Sequence, residues 1–220
     1  MSSCVFNKLS FDCTPERFRE IAESLKGNPK DPLGEVDFNT MIPMPESLDI
    51  EYSIRGEVGY SAYQEFVAKS LSLTDIEKVK LEESYRKKFS NDPKTWELGK
   101  QYYRNMELYG APNWWDWCWE HWNSPYNAYR CMPVEPEDLQ LKFMTSGSPV
   151  LKIALAISEK YPDVVITYSW FISAPADEGG EGVFRGGQCL EFHTVTYTYC
   201  DPDYETESEY SEEEELYDRM

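Results

Sequence analysis

Cys118 and His121 stand one helical turn apart in the stretch YGAPNWWDWCWEHWNSPYNAYRC, residues 109–131. A thiolate and an imidazole at that spacing could supply two soft ligands to a metal ion, with Cys131 as a third if the chain folded back. The set falls short of a full tetrahedral site, so the residues favour a buried thiol and a hydrogen-bonded histidine, with Cys118 and His121 kept as the alternative metal pair. His193 is the only other histidine in the sequence. Any imidazole general base must therefore be His121 or His193, and no G-x-S-x-G turn is present to display a serine nucleophile. Nothing in the residue types marks catalysis, and a non-enzymatic protein without a cofactor is expected.

The same stretch holds five of the seven tryptophans. At 100° per residue, Trp114, Cys118, Trp122, Trp115 and Trp119 share one broad arc, with Trp117 and His121 at its near edge and Asp116, Glu120 and Asn123 opposite. A cage for a cationic ligand needs rings converging from several elements. A helix apolar around half its girth is instead normally wedged between layers. Trp114, Trp115, Trp119 and Trp122 are accordingly expected to be a structural aromatic core between a sheet and a helical insertion.

The segment ADEGGEGVFRGGQ, residues 176–188, could present backbone amides to a phosphate. No GK[ST] follows it, and Asp177, Glu178 and Glu181 carry the wrong charge. A loop or hairpin between two strands is expected there.

Forty acidic against twenty-one basic side chains leave a formal charge of −19. Such a surface repels phosphate backbones and anionic lipids and attracts basic proteins. Residues 201–220 hold ten carboxylates against Arg219 alone, which predicts a disordered acidic tail. Glu205, Glu207, Glu209, Glu212, Glu213, Glu214 and Glu215, with Asp177, Glu178 and Glu181 in the body, are the candidate partner-binding residues. The start MSSCVFNKLSF lacks a basic n-region and an apolar h-region, the six cysteines form no CxxC pair, and no apolar run nears the roughly 20 residues that span a bilayer. A cytoplasmic location with free thiols is expected.

The elements that must position these groups follow a repeated grammar. Val5, Leu9 and Phe11 alternate as a strand, Thr14 and Pro15 open a helix with Phe18, Ile21, Ala22 and Leu25 on one face, and EVDFNTMIPMP predicts a second strand ending near Pro43 and Pro45. Leu139, Leu141 and Phe143 then alternate, Ser148 and Pro149 open a helix with Val150, Ile153, Ala154 and Ile157 inward, and Val164, Ile166, Tyr168 and Trp170 form another strand. CLEFHTVTYTYC adds one more. Between the halves lie helices, one begun by a Thr74–Glu77 capping box and one running from Pro93 to Gly110 with Trp96, Tyr103 and Met106 near one stripe. The fold class expected is α+β: a ferredoxin-like antiparallel sheet (split βαβ) with helices on one face. Its two halves are 1–50 and 126–200, around a helical insertion 51–125 and before the tail 201–220.

FNTMIPMPESL, Phe38 to Leu48, is similar to the FN-x-IIPMPEEL signature of the YubB ferredoxin-like family of phages, plasmids and other mobile elements. CVFNKLSF, YGAPNWWDWCWEHWNSPYNA and KYPDVVITYSWF resemble further family segments in the same order, so the likeness covers most of residues 4–192 outside the insertion. The resemblance implies a ferredoxin-like sheet and a mobile-element origin, and no catalytic residues. The name describes topology, and the cysteines are not grouped for an iron–sulfur cluster. With the charge, it leads to the expectation of a cytoplasmic protein in a bacterial host that binds a basic nucleic-acid-handling or defence protein by imitating phosphate. Direct contact with nucleic acid or membrane is not expected. The alternative is a small-ligand or metal module on the tryptophan-rich helix.

Overall fold

The computed structural model describes residues 4–134, 138–172 and 177–197. In chain order these form β1 (Cys4–Asp12), α1 (Pro15–Ser24), α2 (Ile54–Ser70), α3 (Asp75–Lys88), α4 (Pro93–Tyr109), α5 (Trp114–Trp122), β2 (Gln140–Ser146), α6 (Leu151–Lys160), β3 (Val165–Ile172), β4 (Asp177–Arg185) and β5 (Gln188–Tyr197). The protein is α+β, with a five-stranded antiparallel sheet in the order β2-β1-β3-β4-β5. Two compact units divide the chain: residues 44–120 form one, and the segments on either side of them form the other. No helix among the described residues is long and apolar enough to cross a membrane.

In the sheet unit, β1 lies between β2 and β3 and buries its odd residues Val5, Leu9 and Phe11 on one face. Both sheet helices lie on that face. Phe18 of α1, on a stripe completed by Ile21 and Ala22, meets Phe11 at 5.5 Å. The N–H of Val150, the residue that starts α6, donates to Tyr168 Oη at 2.8 Å. Thr14 caps α1 by accepting the Arg17 N–H at 3.3 Å, and Pro15 occupies the first turn, where no donor is needed.

Some expectations change in the sheet unit. The strand within EVDFNTMIPMP is absent: Phe38–Thr40 is a 3-10 turn. Asp37 accepts the Asn39 N–H at 2.9 Å, Asn127 accepts the Phe38 N–H at 2.9 Å, and Phe38 plugs into the core, so these backbone donors are satisfied without a ladder. The outer edge of β2 is instead met by Tyr129, which exchanges backbone hydrogen bonds with Met144, and by Met132, which donates to Lys142. The hairpin expected in the glycine-rich segment is present, but most of the segment is its first strand, β4, with Gly186 and Gly187 at positive φ making the two-residue turn into β5. Ser148 does not cap α6; the helix starts after Val150, anchored by Tyr168.

The helical unit contains α2, α3, α4 and most of α5. Thr74 and Glu77 form the capping box, with the Thr74 N–H donating to Glu77 Oε2 at 2.9 Å. Gly110 ends α4 at φ 73°. Its buried stripe is Trp96, Gly99, Tyr102 and Asn105 rather than Trp96, Tyr103 and Met106. The shift has a steric cause: Gly59 of α2 sits against Gly99, and a methyl on either would overlap the backbone of the other helix. Trp96, Phe66 and Tyr85 complete a separate aromatic core for this unit.

Candidate binding surface

Asn113 begins α5. Its Oδ1 accepts the Asp116 N–H at 3.2 Å, and its Nδ2 donates to Asp116 Oδ2 at 2.8 Å, a reciprocal cap made by two short polar side chains. From there Trp117, Cys118 and Trp122 turn inward and are buried, Trp114, Trp115, Trp119 and His121 are half-buried, and Asp116 and Glu120 are exposed. The buried arc is rotated by roughly 60° from the one that tryptophan density suggests. Trp117, expected at the edge, is in the core. Trp115 and Trp119 form a flank instead.

That flank is completed by a residue the sequence did not single out. Tyr52 lies flat on Trp115, with ring centroids 5.2 Å apart and an interplanar angle of 1°, and is 44% exposed. Trp114 meets Tyr52 edge-on at 6.4 Å, and Trp119 meets Trp115 edge-on at 6.3 Å. Tyr102 Oη donates to the Glu51 carbonyl at 2.6 Å, fixing the chain at Tyr52. Asn105, fully buried, donates through Nδ2 to the carbonyls of both Ser47 and Pro112 at 3.0 Å. The segment before Tyr52 and the entry to α5 are thus tied to one amide. No local pattern marks Tyr52 in the sequence, because its partner is 63 positions away.

The buried end of α5 is held differently. Trp122 Nε1 donates to the Ile42 carbonyl at 2.9 Å, and its ring meets Phe38 edge-on at 5.6 Å. Cys118 Sγ lies 3.8 Å from Met44 Sδ. Burial pushes the Cys118 thiol up to about 12 and the Cys131 thiol up to about 11. Both stay protonated at neutral pH, the opposite of what a metal-binding thiolate requires. Among the described residues no three His, Cys, Asp or Glu side chains converge where a metal ion could be held.

The candidate carboxylates do not form one patch. Glu181 pairs with Ser169, which pairs with Lys8 and so shares the face opposite α1 and α6, whereas Glu178 pairs with Ile172, which pairs with the core residue Val5. Strand alternation therefore places Glu178 and Glu181 on opposite faces of the sheet. Asp177 begins β4, paired in register with Tyr197. Glu205, Glu207, Glu209 and Glu212 to Glu215 lie outside the described residues.

Ser169, Glu181 and His193 stand side by side across β3, β4 and β5. Ser169 Oγ donates to Glu181 Oε2 at 2.9 Å, so the carboxylate occupies the middle position that a triad gives to histidine. In this order the imidazole has no serine proton to accept. In the sheet unit a shallow concavity of about 310 Å³ is lined by Asp31, Glu35, Asp37 and Asn127 among others. Asp37 Oδ1 is already engaged there by the Asn39 backbone N–H and by the side-chain amides of Asn39 and Asn127.

No protein-family model matches the chain, and no curated protein matches it. Among solved structures, the chain is similar to the crystal structure of a protein api92 from Yersinia pseudotuberculosis, carrying the family model DUF1281. The identity is 10% and the TM-score 0.44, over 91% of this chain and 100% of that one.

Proposed function

We propose that this chain works by binding a basic protein, most consistently a nucleic-acid-handling or defence factor of a bacterial host, and not by catalysing a reaction. The observation that carries the reading is a charge excess that internal pairing cannot remove. Even if each of the 21 lysines and arginines engaged its own carboxylate, nineteen of the forty would be left over. The charge is also real at neutral pH. Every described carboxylate with a displaced pKa is displaced downward: Asp163 by the Arg17 guanidinium, Glu65 by Lys69, Glu77 by Thr74 and Glu16 by its own backbone N–H.

A ferredoxin-like origin of the sheet is part of the same reading, as is descent from the YubB family of mobile-element proteins. In support, β1 lies between β2 and β3 and antiparallel to both, with α1 after β1 and α6 joining β2 to β3. The departures are the missing strand near Phe38 and the two strands added beyond β3. A cytoplasmic location and the absence of direct nucleic-acid or membrane contact belong to this proposal.

The test is capture from bacterial lysate by the full chain, washed at low and at high salt and read by mass spectrometry. A basic protein retained at low salt and released at high salt is the expected result, because exposed charge pairs weaken as the Debye length shortens. Retention that ignores ionic strength would overturn the proposal.

A further inference from the structure

We infer that the outer edge of β5 is a docking edge for an extended basic segment of a protein partner, which adds to the sheet as a further strand. This rests on the reading that the chain binds a basic protein, and it says where part of that contact is made.

The two edges of the sheet are finished differently. Beyond β2, Tyr129 and Met132 engage the backbone of Met144 and Lys142. Beyond β5, no backbone partner occurs among the described residues. Every second residue of such an edge points its N–H and C=O outward, ready to pair with another chain. Proteins that avoid this pairing shorten the edge or place lysine or proline on it. β5 runs for ten residues, Gln188–Tyr197, without lysine, arginine or proline. Its irregularity, where Val183 pairs with Glu191 but Phe184 with Cys189, lies beside the turn and leaves residues 191–197 in unbroken register with β4. The turn itself is pinned, since the Gly187 N–H donates to Ser158 Oγ of α6 at 3.1 Å. An edge ordered before binding loses little conformational freedom when a strand arrives.

Side chains and charge select the occupant. Phe192 pairs with Gly182, which pairs with Tyr168, so it lies on the face that carries α1 and α6, and it is 42% exposed. Glu191 and His193 lie on the opposite face, and both are exposed. An added strand would thus set one of its faces beside an apolar ring and the other beside a carboxylate. Tyr197 ends β5 and Asp201 opens the run of ten carboxylates, so the sequence tethers its densest negative charge to the end of this strand. An extended segment bearing lysine or arginine meets both features. A second copy of the chain would instead bring another −19 to the same edge.

The full chain is titrated at low salt with a short peptide in which lysine alternates with valine, and with the same peptide N-methylated at each backbone amide, which keeps the charge and removes the donors. The unmodified peptide is expected to bind at least about tenfold more tightly. Hydrogen exchange read by mass spectrometry should show protection gained in residues 188–197, whose outward amides exchange readily in the unbound chain. Equal affinities, or binding without protection in β5, would overturn the docking edge while leaving the basic-partner reading intact. Protection of β5 in the absence of peptide, together with a dimer in sedimentation, would give the edge to a second copy and overturn the inference. Failure of both peptides to bind at low salt would overturn both readings.

Discussion

Tyr168 donates its hydroxyl proton to Asn7 Oδ1 at 2.7 Å, and both residues are buried. The same hydroxyl accepts the Val150 N–H, while Asn7 Nδ2 donates to the Val5 carbonyl and to Thr145 Oγ1, each at 3.0 Å. One polar cluster therefore joins β1, β2, β3 and the start of α6. Its members satisfy each other where water cannot, so removing one strands the rest.

Tyr168→Phe takes from Asn7 Oδ1 and the Val150 N–H the hydroxyl that each engages. The expected loss is about 1–3 kcal/mol of stability, read from denaturant midpoints. Asn7→Leu in the same background should cost less than it does in the parent chain, because the two residues act as a unit.

Gly59→Ala and Gly99→Ala should each destabilise the helical unit by at least about 1–3 kcal/mol, since the added methyl meets backbone that cannot rotate away. Gly110→Ala is a useful contrast. Nothing lies within 4 Å of its would-be Cβ, and only the left-handed φ of 73° opposes the change. Its loss should be about 1–2 kcal/mol, visible in thermal melts.

Trp122→Ala should cost about 3–5 kcal/mol, as for a buried aromatic. Trp119→Ala should cost clearly less, because that residue is only half-buried. A larger loss at Trp119 than at Trp122 would contradict the orientation of α5.

Burial raises the Cys118 and Cys131 thiols to about 12 and about 11, whereas in the unfolded chain both titrate near the ordinary value of about 8.5. Above that value the unfolded state holds fewer protons than the folded one. Stability is thus intact below about pH 8.5 and declines as pH climbs through the folded values. Denaturation series across that range should show the slope, and Cys118→Ala should flatten it. Alkylation of the native protein should mark exposed Cys4 and Cys189 well before Cys118.

What could be read beforehand was local. Thr14 with Pro15, Thr74 with Glu77, and Gly110 act within one helical turn, and each occupies the place its type predicts. Phe38 could not be placed, because the amide that diverts its backbone belongs to Asn127. Nor could β4: Gly180 lies in a strand because the Trp170 ring covers it, and Gly182 because Phe184 and Phe192 do. Local composition spells turn there, and only the neighbouring rings make it sheet. Counting tryptophans located α5 correctly but misjudged its rotation, since Tyr52 supplies the cover for the flank.

β1 is made early and satisfied late. Val5 faces Thr145 on one side and Ile172 on the other, so both partners of β1 leave the ribosome after the whole 44–120 unit has been synthesised. At ordinary elongation rates that wait is roughly 10–30 s. During it an alternating apolar segment has neither neighbour, while the helices, whose contacts are contiguous in sequence, can already close. Newborn chains of this protein are consequently most vulnerable to mispairing at Cys4–Asp12, and a chaperone that shelters extended apolar segments would have its best target there.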